Sequence, residues 1–323
     1  MDRGKLRMSV HECPVIKIKL EPHPDANSLS LVRYENYVLV VKTSQWKDGD
    51  LAVHIPEDYV CPDTEQFAFL GTSKRIKPRK FRGIYSDGIL IKAPDGLSVG
   101  QNAMEALGIK RYDPEIEISF NDDNESGPSG NWPKYDVEGY KKYGDWFNPN
   151  ELVVATEKIH GASARFLFQD NRTWCGSRTN WKKQSDKDPW WKALHQNPWI
   201  ESWCRANPGY ALYGEIFGRV QNLKYGCEPN QIRFAIFDIR HDRIWINHDE
   251  ARDMGRGLFW VPEIYRGPLD LNRISELIEC DSVVGGKDHV MEGCVIKPLI
   301  ERESYSGDRI QLKLISRRYF SEK

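Results

Sequence analysis

The chain has 323 residues, enough for two domains that each bury a core. Its formal net charge of −1 excludes a global field that gathers nucleic acid, so any basic surface must be local. Seven cysteines, odd in number and without a CxxC pair, argue against a disulfide framework or a zinc ribbon, and the charged stretch 1–10 and the lack of a long apolar run lead us to expect a cytoplasmic chain without a membrane partner.

Residues 10 to about 110 read as β-rich. Val15 to Leu20 alternates, Tyr37 to Val41 is a short apolar run, Leu51 to Ile55 follows a Lys47-Asp48-Gly49-Asp50 turn, and Ile89 to Ile91 follows Ser86-Asp87-Gly88. Short strands punctuated by Gly and Asp turns predict a small barrel or sandwich. Between these runs, Lys74, Arg75, Lys77, Arg79, Lys80 and Arg82 place six bases and no acid within nine residues, with Phe81 interleaved. This is the best local candidate for phosphate contacts.

The segment 121–131, NDDNESGPSGN, is polar and acidic and reads as a flexible linker. The domain boundary is expected within 111–134. From about Asp136 the pattern mixes strands and helices. Leu152 to Ala155 is a strand that delivers Lys158; Pro189 to Arg205 predicts one helix with aromatics on a core-facing stripe; Ile232 to Phe237 and Val295-Ile296 predict buried strands.

Chemistry gathers in this second part. Glu157-Lys158-Ile159-His160-Gly161 sends a lysine out of a buried strand, and the glycine allows a tight turn and close ligand approach. Glu215 lies in an apolar strand flanked by Gly214 and Gly218. Phe237-Asp238 follows the apolar run from Ile232, Glu292 precedes a strand that carries Lys297, and Lys313 sits among apolar residues. Each alone is what a paired strand-end charge looks like. The ordered set is not.

With these motifs the sequence resembles the covalent nucleotidyltransferase superfamily of DNA ligases, RNA ligases and mRNA capping enzymes, whose nucleophile motif is KxDG. Here it reads Lys158-Ile159-His160-Gly161, and the EKIHG form resembles RNA ligases in particular. The resemblance covers about residues 135–318. Ser177-Arg178, Glu215, Phe237, Glu292 and Lys313 fall where the family's other motifs fall. The last motif, often Lys-x-Lys in RNA ligases, is Gln311-Leu312-Lys313 here. Pro22 to Leu29 and Phe81 to Leu90 resemble the oligonucleotide-binding (OB) barrel of tRNA-binding proteins. A barrel ahead of the core resembles the Deinococcus-type RNA ligases.

The resemblance implies an α+β fold, with an N-terminal OB-like β-barrel domain (1–110), a linker (111–134) and a nucleotidyltransferase domain (135–323), an ATP-grasp-like ligase core of antiparallel sheets and helices. It implies ATP and Mg²⁺ or Mn²⁺ as cofactors and RNA ends as partner, in a nicked duplex or an RNA–DNA hybrid. Lys158 is implied as the nucleophile, with His160, Gly161, Lys297 and Lys313 in the catalytic set. Glu157, Arg178, Glu215, Phe237 and Glu292 join Lys158, Lys297 and Lys313 around the nucleotide, Phe237 stacking on adenine and Arg178 meeting ribose or phosphate. Glu215 and Glu292 are the implied metal anchors. A lysine attacking a phosphate must be neutral, whereas free lysine titrates near ~10.4, so burial, neighbouring cations or a metal would have to lower that value. A related DNA-sealing or capping enzyme, or a non-catalytic RNA-binding scaffold, remains open from sequence. Oligomeric state is not legible, with a monomer as default.

Overall fold

The computed structural model describes residues 12–112 and 124–321, so the reading of 1–10 and part of the expected linker lie outside the described residues. The chain divides between residues 117 and 118 into two compact units.

In the first unit, Val15–Lys17, Leu51–Ile55 and Ile89–Lys92 form an antiparallel sheet, and Glu21–His23, Ala26–Tyr34 and Tyr37–Lys42 form a second. Leu51–Ile55 is buried on both faces: Val53 and Ile55 join Phe67 and Ile76 in one core, while Ala52 joins Val32 and Leu39 in another. A strand covered on both sides is expected to be apolar nearly throughout, and here the one polar side chain, buried His54, meets the carbonyl of Asp87 at 3.1 Å. Arg79–Phe81 and Ile84–Ser86 make a hairpin whose turn holds Arg82 and Gly83 at positive φ. The strand expected over Val15 to Leu20 ends at Lys17, where the N–H of Ile18 turns to the carbonyl of Asp50.

The second unit carries a seven-stranded sheet in the order Asn124–Glu125, Trp181–Lys182, Arg172–Ser177, Ala162–Gln169, Tyr210–Gly218, Ile232–His241, Ile244–Trp245. A five-stranded sheet runs Glu138–Gly139, Leu312–Ile315, Gly293–Pro298, Leu152–Glu157, Glu263–Pro268. On the first sheet Ala164, Phe166, Leu212, Ile216, Phe234 and Ile236 pack against two helices. On the second Val153, Ala155, Cys294, Ile296, Leu312 and Leu314 pack against Tyr140, Trp146 and Ile274. Side chains alternate along strands, so each sheet keeps its other face for a different purpose.

The two helices, Pro189–Gln196 and Trp199–Ala206, correct the expectation of one helix over Pro189 to Arg205. The break falls at Asn197-Pro198: proline has no N–H to donate and pushes the residue before it out of helical geometry, and Asn197 sits at φ −124, ψ 70. The first helix begins where Asp188 accepts hydrogen bonds from the N–H groups of Trp190 and Trp191, with Pro189 at the first helical position.

The described part of the expected linker, 124–134, is a part of the second unit. Asn124–Glu125 pairs with Trp181–Lys182, Glu125 holds Arg172 at 2.6 Å, and the carbonyls of Trp132 and Pro133 accept from Arg165 at 2.6 and 3.0 Å. Composition weighs its Gly, Ser and Pro; these few anchors decide its place.

Candidate active site

Strand register brings the lysines together. Val154 lies opposite Lys297, Thr156 opposite Val295, and Val295 opposite Lys313. Counting by two, Lys158, Lys297 and Lys313 stand on one face of the five-stranded sheet, the face opposite its core. The facing surface belongs to the seven-stranded sheet. There Ser163 lies opposite Glu215 and Glu215 opposite Ala235, on the face turned away from the helices. A β-bulge pairs Tyr213 with Asp238 but Gly214 with Ile236, which leaves Phe237 as the extra residue. A bulge re-aims side chains, and here Phe237 and Asp238 both reach Tyr135, by ring packing at 4.2 Å and by a hydrogen bond from the tyrosine hydroxyl.

Lys158 follows the last strand residue, its N–H bonded to the carbonyl of Gly293. Its Nζ lies 2.7 Å from Glu292 Oε1, while the other carboxylate oxygen is 3.2 Å from His160 Nδ1. Burial alone would raise the Glu292 carboxyl, but Lys158 and His160 outweigh it and hold it well below the ordinary carboxylate range. Glu292 is fixed from behind: its carbonyl accepts from the N–H of Ser316, and Gly293 (φ +151) lets the chain pass where a Cβ would stand 2.1 Å from the carbonyl of Leu314.

His160 is held on several sides. Its N–H donates to the Tyr225 hydroxyl at 2.7 Å, and the Tyr319 hydroxyl lies 3.1 Å from Nδ1. Its Nε2 is buried without a hydrogen-bond partner among the described residues. Burial, then Glu292, Glu157 and Glu215, push the Tyr225 hydroxyl far above its ordinary value, so it stays neutral among these carboxylates. Gly161 is the close approach expected of it, since a Cβ there would meet the carbonyl of Ile216 at 2.1 Å and Glu215 Cγ at 3.0 Å.

Lys297 Nζ crosses to the Asp238 carboxylate and lies 3.3 Å from the carbonyl of Phe237. Arg309 reaches the other Asp238 oxygen at 3.0 Å. Burial would raise the Asp238 carboxyl, but Arg309 and Lys297 hold it down at about 2. Arg178 is anchored by Asp136 at 2.8 Å.

Of the expected site residues, Lys158, His160, Glu292, Lys297 and Lys313 come together on the five-stranded-sheet side. Glu215, Phe237 and Arg178 belong to the seven-stranded-sheet side, and Gly161 lies against Ile216 and Glu215 of that sheet. Glu157 is placed elsewhere. Alternation turns its side chain to the opposite face from Lys158, where it accepts from the Ser282 hydroxyl at 2.5 Å and the Val283 N–H at 2.9 Å. The basic run is also divided. Lys74 pairs with Asp63 and Arg75 with Asp58, while Arg79, Lys80 and Arg82 are exposed on their hairpin. Asp238, Arg309, Tyr225 and Tyr319 are additional members. Arg309 could have been found from its spacing of two before Gln311 and Lys313; Tyr225 lies in a loop with no pattern to mark it.

Fold and site together define a nucleotidyltransferase-type ligase core. A family model described as RNA ligase matches residues 151–315, and the chain belongs to that family. A second model, of an OB-fold domain, matches residues 14–93. Comparison with curated proteins finds no match. Among solved structures, Naegleria gruberi RNA ligase with PPi is similar at a TM-score of 0.76 and 20% identity, covering 97% of this chain and 99% of that one. A lysine-to-methionine mutant of the same ligase with AMP and Mn is similar at 0.74 and 22%, covering 96% and 98%. An arginine-to-alanine mutant with ATP and Mn is similar at 0.74 and 21%, with the same coverage. No helix among the described residues is long and apolar enough to cross a membrane.

Proposed function

We propose that the chain is an ATP-dependent RNA ligase that joins a 3′-hydroxyl to a 5′-phosphate through an AMP adduct on Lys158. The observation that carries this reading is the register that sets Lys158, Lys297 and Lys313 on one sheet face, across from Glu215, Phe237 and Asp238. Lys158 Nζ attacks the α-phosphorus of ATP; the N–P bond forms as the bond to pyrophosphate breaks, and the amine loses its proton. The 5′-phosphate of an RNA end then displaces Lys158 from AMP. Finally a 3′-hydroxyl attacks the activated 5′-phosphorus and expels AMP.

Lys297 and Lys313 stand where phosphate oxygens gather charge, and fixed cations there favour the transition state. The pairing of Lys158 with Glu292 favours the protonated amine, so Lys158 must lose that partner before it attacks. Glu292, with Glu215, would hold a divalent ion; such an ion would compete with Lys158 for the Glu292 carboxylate and supply Lewis-acid polarisation of the phosphate. Mg²⁺ and Mn²⁺ need few protein carboxylates, so Glu215 and Glu292 would suffice as anchors. The unpartnered His160 Nε2 fits a ligand group arriving beside Lys158. Phe237, half-buried under Tyr135, is the stacking surface for adenine. The Naegleria ligase complexes, with ATP and Mn, AMP and Mn, and PPi, support the same nucleotide and metal here.

The order of the two units supports a Deinococcus-type ligase that seals nicks with RNA on the 3′-hydroxyl side, the first unit gripping the duplex. The test is intact mass after incubation with ATP and a divalent metal. The wild type gains one AMP and Lys158→Ala gains none. A wild type that gains none, even after treatment with pyrophosphate to strip bound AMP, overturns the reading. A panel of nicks with RNA or DNA on each side then separates an RNA ligase from a DNA-sealing relative.

A further inference from the structure

Arg309, Gln311 and Lys313 follow one another at a spacing of two, and the first two are tied into the support of Lys297. Arg309 makes a two-pronged pair with Glu301, at 2.8 and 2.5 Å, and donates to Asp238 at 3.0 Å and to the side-chain oxygen of Gln311 at 2.7 Å. Its guanidinium lies 4.0 Å from the ring centre of Trp245. Gln311, 4% exposed, donates from its amide nitrogen to the carbonyl of Asp136 at 2.5 Å. Each half of the amide is therefore used, one as acceptor and one as donor.

The charges in this cluster balance. Arg309 and Lys297 face Asp238 and Glu301, and Gln311 is the neutral member that closes the set. A lysine at 311, as in a Lys-x-Lys motif, could still donate to the Asp136 carbonyl. It could not accept from Arg309, and it would set a third buried cation beside the guanidinium. A glutamate would keep the acceptor and give Arg309 an opposite charge.

We propose that Gln311 is a positioning residue whose neutral amide holds Arg309 on Asp238, and through Asp238 fixes Lys297, so that a cation at 311 harms this ligase. The proposal rests on the lysyl-AMP reading for its kinetic test but not for its stability test. Full-length wild type, Gln311→Lys and Gln311→Glu are compared for the rate of AMP-adduct formation against ATP concentration, and for melting temperature. The lysine variant is expected to lose about ten-fold or more in rate at saturating ATP with KM within about three-fold, because the lost placement of Lys297 counts most in the transition state. The glutamate variant is expected to be faster than the lysine variant and to melt higher. A lysine variant that fails to fold where the glutamate variant folds meets the same expectation.

A lysine variant as fast as wild type overturns the proposal. So does a glutamate variant that is slower or less stable than the lysine variant. Loss of folding in both variants also overturns it, since shape rather than charge would then decide. A wild type without any adduct defeats the functional reading alone, and the melting comparison still judges Gln311.

Discussion

Lys297 and Asp238 meet from different sheets, and with 2% and 1% of their surfaces exposed they form a buried ion pair. Burying two charges costs several kcal/mol per ion, so such a pair survives only where other groups complete it. Here Tyr135 and Arg309 complete the carboxylate, and the carbonyl of Phe237 completes the ammonium. The pair locks the register of one sheet against the other at the place where the three lysines face Glu215 and Phe237. Asp238→Asn keeps the shape but leaves Lys297 and Arg309 short of a counter-charge. It is expected to cost about 3–5 kcal/mol, read from urea unfolding at pH 7.

The same carboxylate sets an acid limit. Its ordinary value is 3.8 and the folded protein holds it at about 2. An acid depressed by folding stabilises the native state at pH values above its unfolded value, and that contribution is lost as pH falls through the folded one. Unfolding midpoints in urea are therefore expected to fall as pH drops from about 4 towards about 2, and the Asp238→Asn variant to fall less over that window. Equal slopes for both proteins would remove Asp238 as the cause.

Much of this was legible in the sequence, for identifiable reasons. Leu152 to Ala155 and Phe234 to Phe237 are continuous apolar runs at the heart of their strands, as a strand covered on both faces requires. Lys158, Glu215, Glu292 and Lys297 are tied to such strands, so their spacing along the chain translated into place. What stayed hidden depends on pairing between distant segments. Glu157 adjoins Lys158, yet the pleat sends it to Ser282. Asp238 was visible as the acid after Phe237, but its role as the counter-charge of Lys297 and Arg309 appears only once the bulge and the pairing of distant strands are known. The divided helix was a local miss, since Asn197-Pro198 could have been read as a stop.

The division of the basic run gives opposite expectations for neighbouring residues. Arg79, Lys80 and Arg82 are exposed on a hairpin, where charge is available to a phosphate backbone. Replacing all three by glutamine is expected to weaken binding to nicked duplex about equally across sequences. The slope of log affinity against log salt should flatten by up to about 3, since each phosphate contact contributes roughly 0.9. Lys74 and Arg75 are held by Asp63 and Asp58. Replacing that pair is expected to leave the salt slope alone. A filter-binding series at several salt concentrations reads both, and a slope set by Lys74 and Arg75 instead would reverse the assignment.

Gly161 links the reactive loop to the sheet beneath it. Its φ lies outside the positive region, so backbone strain gives no reason against alanine there. The reason is space. A Cβ would stand 2.1 Å from the carbonyl of Ile216, which is backbone and cannot swing aside, and 3.0 Å from Glu215 Cγ. Ala162 pairs with Ile216 in the next position, so relief requires the strand edge to open. The carbonyl of Gly161 is also fixed, accepting from the Gln221 amide at 2.6 Å. Gly161→Ala is therefore expected to cost about 1–3 kcal/mol, as overpacking in a close-packed site does. It should also shift Lys158 relative to Glu215, and adduct formation should slow by more than the loss of folded protein explains. Measuring the adduct rate well below the melting temperature separates the effects. A variant that is destabilised yet adenylates at the wild-type rate would mean that the loop carrying Lys158 moves independently of the strand carrying Glu215.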